Sequence, residues 1–190
     1  MTTVISITIF VCAFVLPSIL TLWIKSCTRS KLPKDDIPSP PHKEKQKKKI
    51  YVASSWRNNY QQDVVNELRK CGYDVYDFKH PVEGDTGFHW SEIDPNWQNW
   101  NTHQYCDALN HSYAQFGFNR DFDAMKSCDA CVLCLPCGRS AHLEAGWMKG
   151  AGKKVIVYIP PDVKIEPELM YNLLDCITID ITRISMLLEE

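Results

Sequence analysis

The chain has 190 residues, 45% of them hydrophobic, which suits one packed domain plus an appendage. A formal net charge of −2 argues against nucleic-acid binding. Nine cysteines, an odd number in a chain of ordinary domain size, argue against a disulfide-framed secreted scaffold and favour reduced thiols in a cytosol-like compartment.

Residues 4–24, "VISITIFVCAFVLPSILTLWI", carry no charge, and about 20 apolar residues span a bilayer as a helix. Pro17 is tolerated in such a helix and Trp23 sits where interfacial aromatics collect. No basic residue precedes the apolar run, so a retained anchor over 1–25 is expected rather than a cleaved signal peptide. The nine Lys and Arg between 25 and 49 follow it, which places the C-terminal part on the cytoplasmic side of a single-pass membrane protein. Residues 26–48 read as a basic, Pro-rich linker. Its lysines are a topology signal and solvated tether in preference to an anionic-lipid site.

From residue 49 to 190 short β-rich runs alternate with helical spacing. "IYVASS", "YDVYDF", "DACVLCLP", "KKVIVYIP" and "CITID" predict five strands. "NNYQQDVVNELRKCG", roughly Asn119 to Ser127, "SAHLEAGWMKGAG", "EPELMYNLLD" and a last turn or two in "ITRISMLLEE" predict the helices. The alternation implies an α/β fold with a doubly wound parallel five-stranded sheet. Residues 79–112 form an insertion too long for an ordinary connection, rich in aromatics such as Phe88, Trp90, Trp97, Trp100 and Tyr105. These rings serve either to stack on a planar ligand or to build a satellite core.

Cys128, Cys131, Cys134 and Cys137 recur every third residue, as in an iron–sulfur loop. The residues between them form a strand, so Cys131 and Cys134 point to opposite faces and cannot share a metal. Buried thiols acting as small hydrophobes are expected, with no metal or cofactor. In an open parallel sheet ligands bind beyond the carboxyl ends of the strands. There, Ala53, Ser54 and Ser55 leave room and Arg57 can fork onto a phosphate. In the "PCGRS" loop Gly138 permits close approach and Ser140 can cap the next helix. Asp129 opens the third strand and Glu144 sits on the helix after it. A turn residue and a first-turn acid are the plain readings of these two.

"KKIYVASSWRN", "CDACVLCLP" and "SAHLEAGWMKGAGKKVIVY" together resemble the nucleoside 2-deoxyribosyltransferase family, which includes 2′-deoxynucleoside 5′-phosphate N-hydrolases. The resemblance covers most of residues 49–180, and "GFHWSEID" is similar to a bacterial and phage-type subgroup. It implies a flavodoxin-like, Rossmann-like domain that cleaves N-glycosidic bonds and forms a homo-oligomer. By position, Glu144 resembles the family's nucleophile, Asp129 the aspartate that helps the base leave, and Tyr51 the tyrosine that orients the glutamate. Ser54, Ser55 and Arg57 resemble the 5′-phosphate loop of the hydrolases. The expected partner is a nucleoside or nucleotide, its ring stacked on Trp56, Phe88 or Trp90. Asp121 and Asp123 are expected as supporting groups or as a solvated face. A TIR-like NAD glycohydrolase and a non-catalytic nucleotide-sensing module are the alternative readings.

Overall fold

A computed structural model describes residues 47–190. The expected anchor and nearly all of the expected linker lie outside the described residues. Among the described residues no helix is long and apolar enough to cross a membrane.

The sheet has five strands: β1 (Lys49–Ala53), β2 (Asp74–Tyr76), β3 (Ala130–Cys134), β4 (Lys154–Tyr158) and β5 (Cys176–Thr178). Their order is β2-β1-β3-β4-β5 and every pair is parallel. This is the doubly wound, flavodoxin-like order, and its switch point lies between β1 and β3. All five residues of β3 are buried, as a central parallel strand covered on both faces requires.

Side-chain alternation divides the core into two layers. Ile50, Val52, Val132 and Cys134 pack against α1 (Gln61–Lys70) and α5 (Ile184–Glu189) through Val64, Leu68, Ile184 and Leu188. Tyr51, Ala53, Cys131 and Leu133 pack on the other face against α3 (Ser112–Ser127) and α4 (Arg139–Gly150), through Met125, Ala141, Ala145 and Met148. Cys131 and Cys134 therefore lie on opposite faces, as their spacing in a strand demands. Burial pushes the Cys134 thiol up to about 12 and that of Cys128 to about 11, so both are inert packing groups.

Several boundaries differ from the sequence expectation. The second predicted helix starts at Ser112 instead of near Asn119, with the His111 ring accepting from the Tyr113 N–H. The insertion contains a helix of its own, α2 (Thr102–Leu109), opened by a reciprocal capping box between Asn101 and Gln104. The expected helix in "EPELMYNLLD" shrinks to a 3₁₀ segment, Leu169–Leu173. Leu169 and Leu173 remain exposed there, so no buried stripe sustains a longer helix. β5 stops at Thr178, because the Thr178 hydroxyl binds the Asp180 N–H and Asp180 then caps the next turn at Thr182.

Candidate functional site

Tyr51 on β1 and Tyr76 at the end of β2 stack with ring centroids 5.4 Å apart and planes 14° from parallel. Each ring leads to a carboxyl group. The Tyr51 hydroxyl is aimed at Glu144 on α4 and favours its charged form. The Tyr76 hydroxyl donates to Asp121 Oδ1 on α3 at 2.6 Å. Burial raises the pKa of both tyrosines, so their hydroxyls remain neutral donors.

Burial and the nearby Asp121 carboxylate push Glu144 up to about 7, against the opposing pull of Tyr51. Burial also raises Asp121, while Tyr76 and Arg120 lower it. Arg120 is anchored by a 2.6 Å ion pair to Asp85 from the insertion, and its Nε lies 3.8 Å from Asp121 Oδ1. Both carboxyls are held toward their neutral forms, the direction that favours acid and nucleophile chemistry.

Asp129 is not part of this arrangement. It is exposed at the amino end of β3, where its carboxylate accepts from the Lys49 backbone N–H at 2.7 Å. It ties the starts of β1 and β3 together, and the second carboxylate beside Glu144 belongs to Asp121. The signal for Asp121 was the helical row Gly117–Asp121–Met125, whose outer members are both buried. That row became legible only once α3 extended back to Ser112.

The loop after β1 splits into structural and free groups. Ser54 is buried; its hydroxyl donates to the Cys134 carbonyl at 2.8 Å and accepts from Asn58, so it pins β1 to β3 and is not free for a ligand. The Ser55 hydroxyl accepts from the Arg57 N–H at 3.3 Å. Arg57 is exposed and its guanidinium has no partner among the described residues. Gly138 is the N-cap residue of α4, in extended backbone that any residue adopts, with open space around a would-be Cβ. Ser140 is exposed within the first turn and does not cap it, in contrast to the sequence expectation.

The insertion builds the satellite core, one of the two readings left open by the sequence. Phe88 packs edge-on against Trp90 and alongside Tyr113, and Trp90 meets Trp100 and Tyr105, which makes a satellite core. The same Phe88 and Trp90 line a slot of about 430 Å³ that ends on Asp121. Trp56 is 41% exposed and packs on Phe78 and His89. Gly87 makes that packing possible at φ +79°, since a Cβ there would lie 2.5 Å from Trp56 and 2.6 Å from the Phe78 carbonyl. Gly87→Ala is therefore expected to destabilise the domain by roughly 2–4 kcal/mol, read as a lower denaturant midpoint at unchanged slope.

A larger cleft of about 800 Å³ runs along the other flank of α4, past Cys137, His142 and Tyr171. Glu144, Tyr51 and Asp121 do not line it. Cys137 and His142 are 3.6 Å apart, but they are not a nucleophile and base. The Gly138 carbonyl, 2.8 Å from His142 Nδ1, can only accept, so that nitrogen carries the proton. Burial holds the Cys137 thiol near 12. Among the described residues no three His, Cys, Asp or Glu side chains converge as a metal site.

No protein-family model matches the chain, and no curated protein matches it in sequence. Among solved structures it is similar to a 2-deoxyribosyltransferase from the psychrotolerant bacterium Bacillus psychrosaccharolyticus. That match has 18% identity and a TM-score of 0.50, and covers 73% of this chain and 95% of the other. A CMP N-glycosidase from Clostridium botulinum also matches, at 17% identity and a TM-score of 0.42, over 75% of this chain and 100% of the other. At 18% identity, what this chain shares with the transferase is its fold.

Proposed function

We propose that this chain cleaves the N-glycosidic bond of a nucleoside or nucleoside 5′-monophosphate, with Glu144 as nucleophile and Asp121 as the acid. The observation that carries the reading is the pair itself: two half-buried carboxyls, each with its own tyrosine, one from β1 and one from β2 of a doubly wound sheet. The fold shared with a 2-deoxyribosyltransferase supports the same reading.

Glu144 attacks the anomeric carbon, forming a carbon–oxygen bond as the carbon–nitrogen bond breaks. The bonding pair leaves on the base, which takes a proton from Asp121. Water, or a second base, then releases the sugar from Glu144. Tyr51 holds the glutamate and favours its ionised form; Tyr76 and Arg120 hold Asp121 in place. Arg57, unpartnered beyond the end of β1, is the group offered to a 5′-phosphate, with the Ser55 hydroxyl beside it. We read residues 4–24 as a tether that holds this chemistry at a membrane.

Glu144 must be ionised to attack, and burial and Asp121 hold its proton until about 7. With nucleosides of 7-methylguanine, whose base leaves already cationic and needs no proton, base release is therefore expected to rise as pH rises through about 7 and then level off. With ordinary nucleosides, which also need the Asp121 proton, it is expected to fall again at higher pH. A pH–rate profile for the two substrate types checks it; identical profiles would reject the acid role of Asp121. The reading as a whole is tested by incubating the full-length chain with deoxynucleosides, deoxynucleotides, ribonucleotides and NAD, and following free base by chromatography. Release from none of them refutes it.

A further inference from the structure

The insertion places a third carboxyl group behind the acid. Asp85 sits in a turn between two glycines in left-handed backbone, Gly84 at φ +81° and Gly87 at φ +79°. Its N–H donates to the Val82 carbonyl at 3.1 Å, and its Oδ1 accepts from the Gly87 N–H at 2.6 Å. The remaining oxygen, Oδ2, accepts from Arg120 Nη1 at 2.6 Å. One carboxylate oxygen therefore fixes the turn and the other reaches α3.

Arg120 stands between two acids and serves them unequally. Asp85 receives a short ion pair, whereas Arg120 Nε lies 3.8 Å from Asp121 Oδ1, beyond hydrogen-bond reach. That Nε is buried and makes no hydrogen bond among the described residues. An unconstrained guanidinium forks onto a carboxylate with two parallel N–H bonds. Here Asp85 holds it short of Asp121. The other groups facing Asp121 are Tyr76 from β2, which donates at 2.6 Å, Tyr51 from β1 and Glu144 from α4. Among these described residues Arg120 is the one cation. It draws Asp121 toward the charged form, and Asp85 opposes it.

We propose that Asp85 is a positioning residue for the acid: by engaging Arg120 it keeps the guanidinium from completing an ion pair with Asp121, so that Asp121 retains the proton the leaving base requires. The role in catalysis rests on the glycosidic reading, but the coupling of the three charged groups stands by itself. Without the Asp85 charge, Arg120 presents an uncompensated positive charge 3.8 Å from a carboxyl that burial holds toward its neutral form. Asp121 then ionises at lower pH and has no proton to give. The insertion thus sets the chemistry of a residue on α3 through a single ion pair.

The test is a carboxyl-carbon NMR titration of the full-length chain labelled at aspartate, with the Asp121 signal assigned by its loss in Asp121→Asn. Asp85→Asn keeps a side-chain oxygen for the Gly87 N–H and removes only the charge. It is expected to lower the Asp121 midpoint by about one pH unit or more. Adding Arg120→Gln removes the opposing charge, and the midpoint is expected to return to its value in the unaltered chain or above it. A midpoint unmoved by Asp85→Asn, or a shift that survives Arg120→Gln, would overturn the proposal, the second because a disturbed turn and not a charge would then be the cause. Base release is followed in parallel. On the descending limb of the pH–rate profile, Asp85→Asn is expected to slow ordinary nucleosides by about tenfold or more and 7-methylguanine nucleosides by less than about twofold. Glu144-dependent release with an unmoved Asp121 sinks the Asp85 role alone. A shifted Asp121 without release from any nucleoside sinks the glycosidase alone and leaves the charge coupling established.

Discussion

Glu144→Gln is expected to abolish base release and, at the same time, to make the protein more stable at pH 8. The rate should fall by roughly 10³-fold or more, because the amide cannot form the glycosyl–enzyme bond. The stability gain follows from linkage. In the unfolded chain this glutamate loses its proton near 4.5, whereas in the folded protein burial and Asp121 hold the proton until about 7. Between those values the native state binds more protons than the unfolded state, so stability falls as pH rises through the window and stays low above it. Allowing for its half-buried position, the cost at pH 8 is on the order of 2–3 kcal/mol, which glutamine removes while still accepting from Tyr51. The midpoint of thermal unfolding should rise by roughly 4–10 °C at pH 8 and stay unchanged at pH 4, where both forms are neutral. A midpoint that drops at pH 8 would mean that the carboxylate stabilises the fold and is not held there for chemistry.

The central sheet was legible because buried parallel strands must be continuous apolar runs, and "KIYVA", "ACVLC" and "KVIVY" have no other sensible reading. The same alternation settled the cysteine question, since residues three apart in a strand cannot face one another. Glu144 and Tyr51 were singled out by the resemblance of short motifs, not by spacing, and the structure brings the two side chains together. The error at Asp129 shows the limit of strand-by-strand reading. An acid at the mouth of a strand looks like an active-site group, but Asp129 opens the amino end of β3, away from the carboxyl ends where a doubly wound sheet places its ligands. Asp121 was expected only as a supporting group or part of a solvated face because its helix was read as too short to set its burial, and α3 gains its extra turns from a histidine cap and from packing of Gly117 on Phe88, neither of which is a local propensity. The helix in the insertion could have been found, since Asn101 and Gln104 have capping-box spacing.

Asp121 and Asp129 are expected to differ sharply when each is replaced. Asp121→Asn should slow release of an ordinary base by about 10²–10⁴-fold, the usual worth of a positioned general acid. The loss should depend on the leaving group. With a 7-methylguanine nucleoside no proton is needed, and the same variant should lose less than about tenfold. Glu144→Gln, by contrast, should be equally damaging to both substrates, because attack at the anomeric carbon is common to them. Asp129→Ala should leave both rates within about twofold of the unaltered chain, since its carboxylate does no more than accept from the Lys49 N–H. Its cost is structural, about 1 kcal/mol for one lost hydrogen bond, read as a midpoint lower by roughly 2–4 °C. If Asp129→Ala instead removed activity at unchanged stability, the site would have to extend to the amino end of the sheet. If Asp121→Asn slowed both substrates alike, Asp121 would be a positioning residue that acts through Glu144 and not the donor to the base. Leaving-group dependence separates those roles, because only a group that gives its proton to the base becomes dispensable when the base arrives already charged.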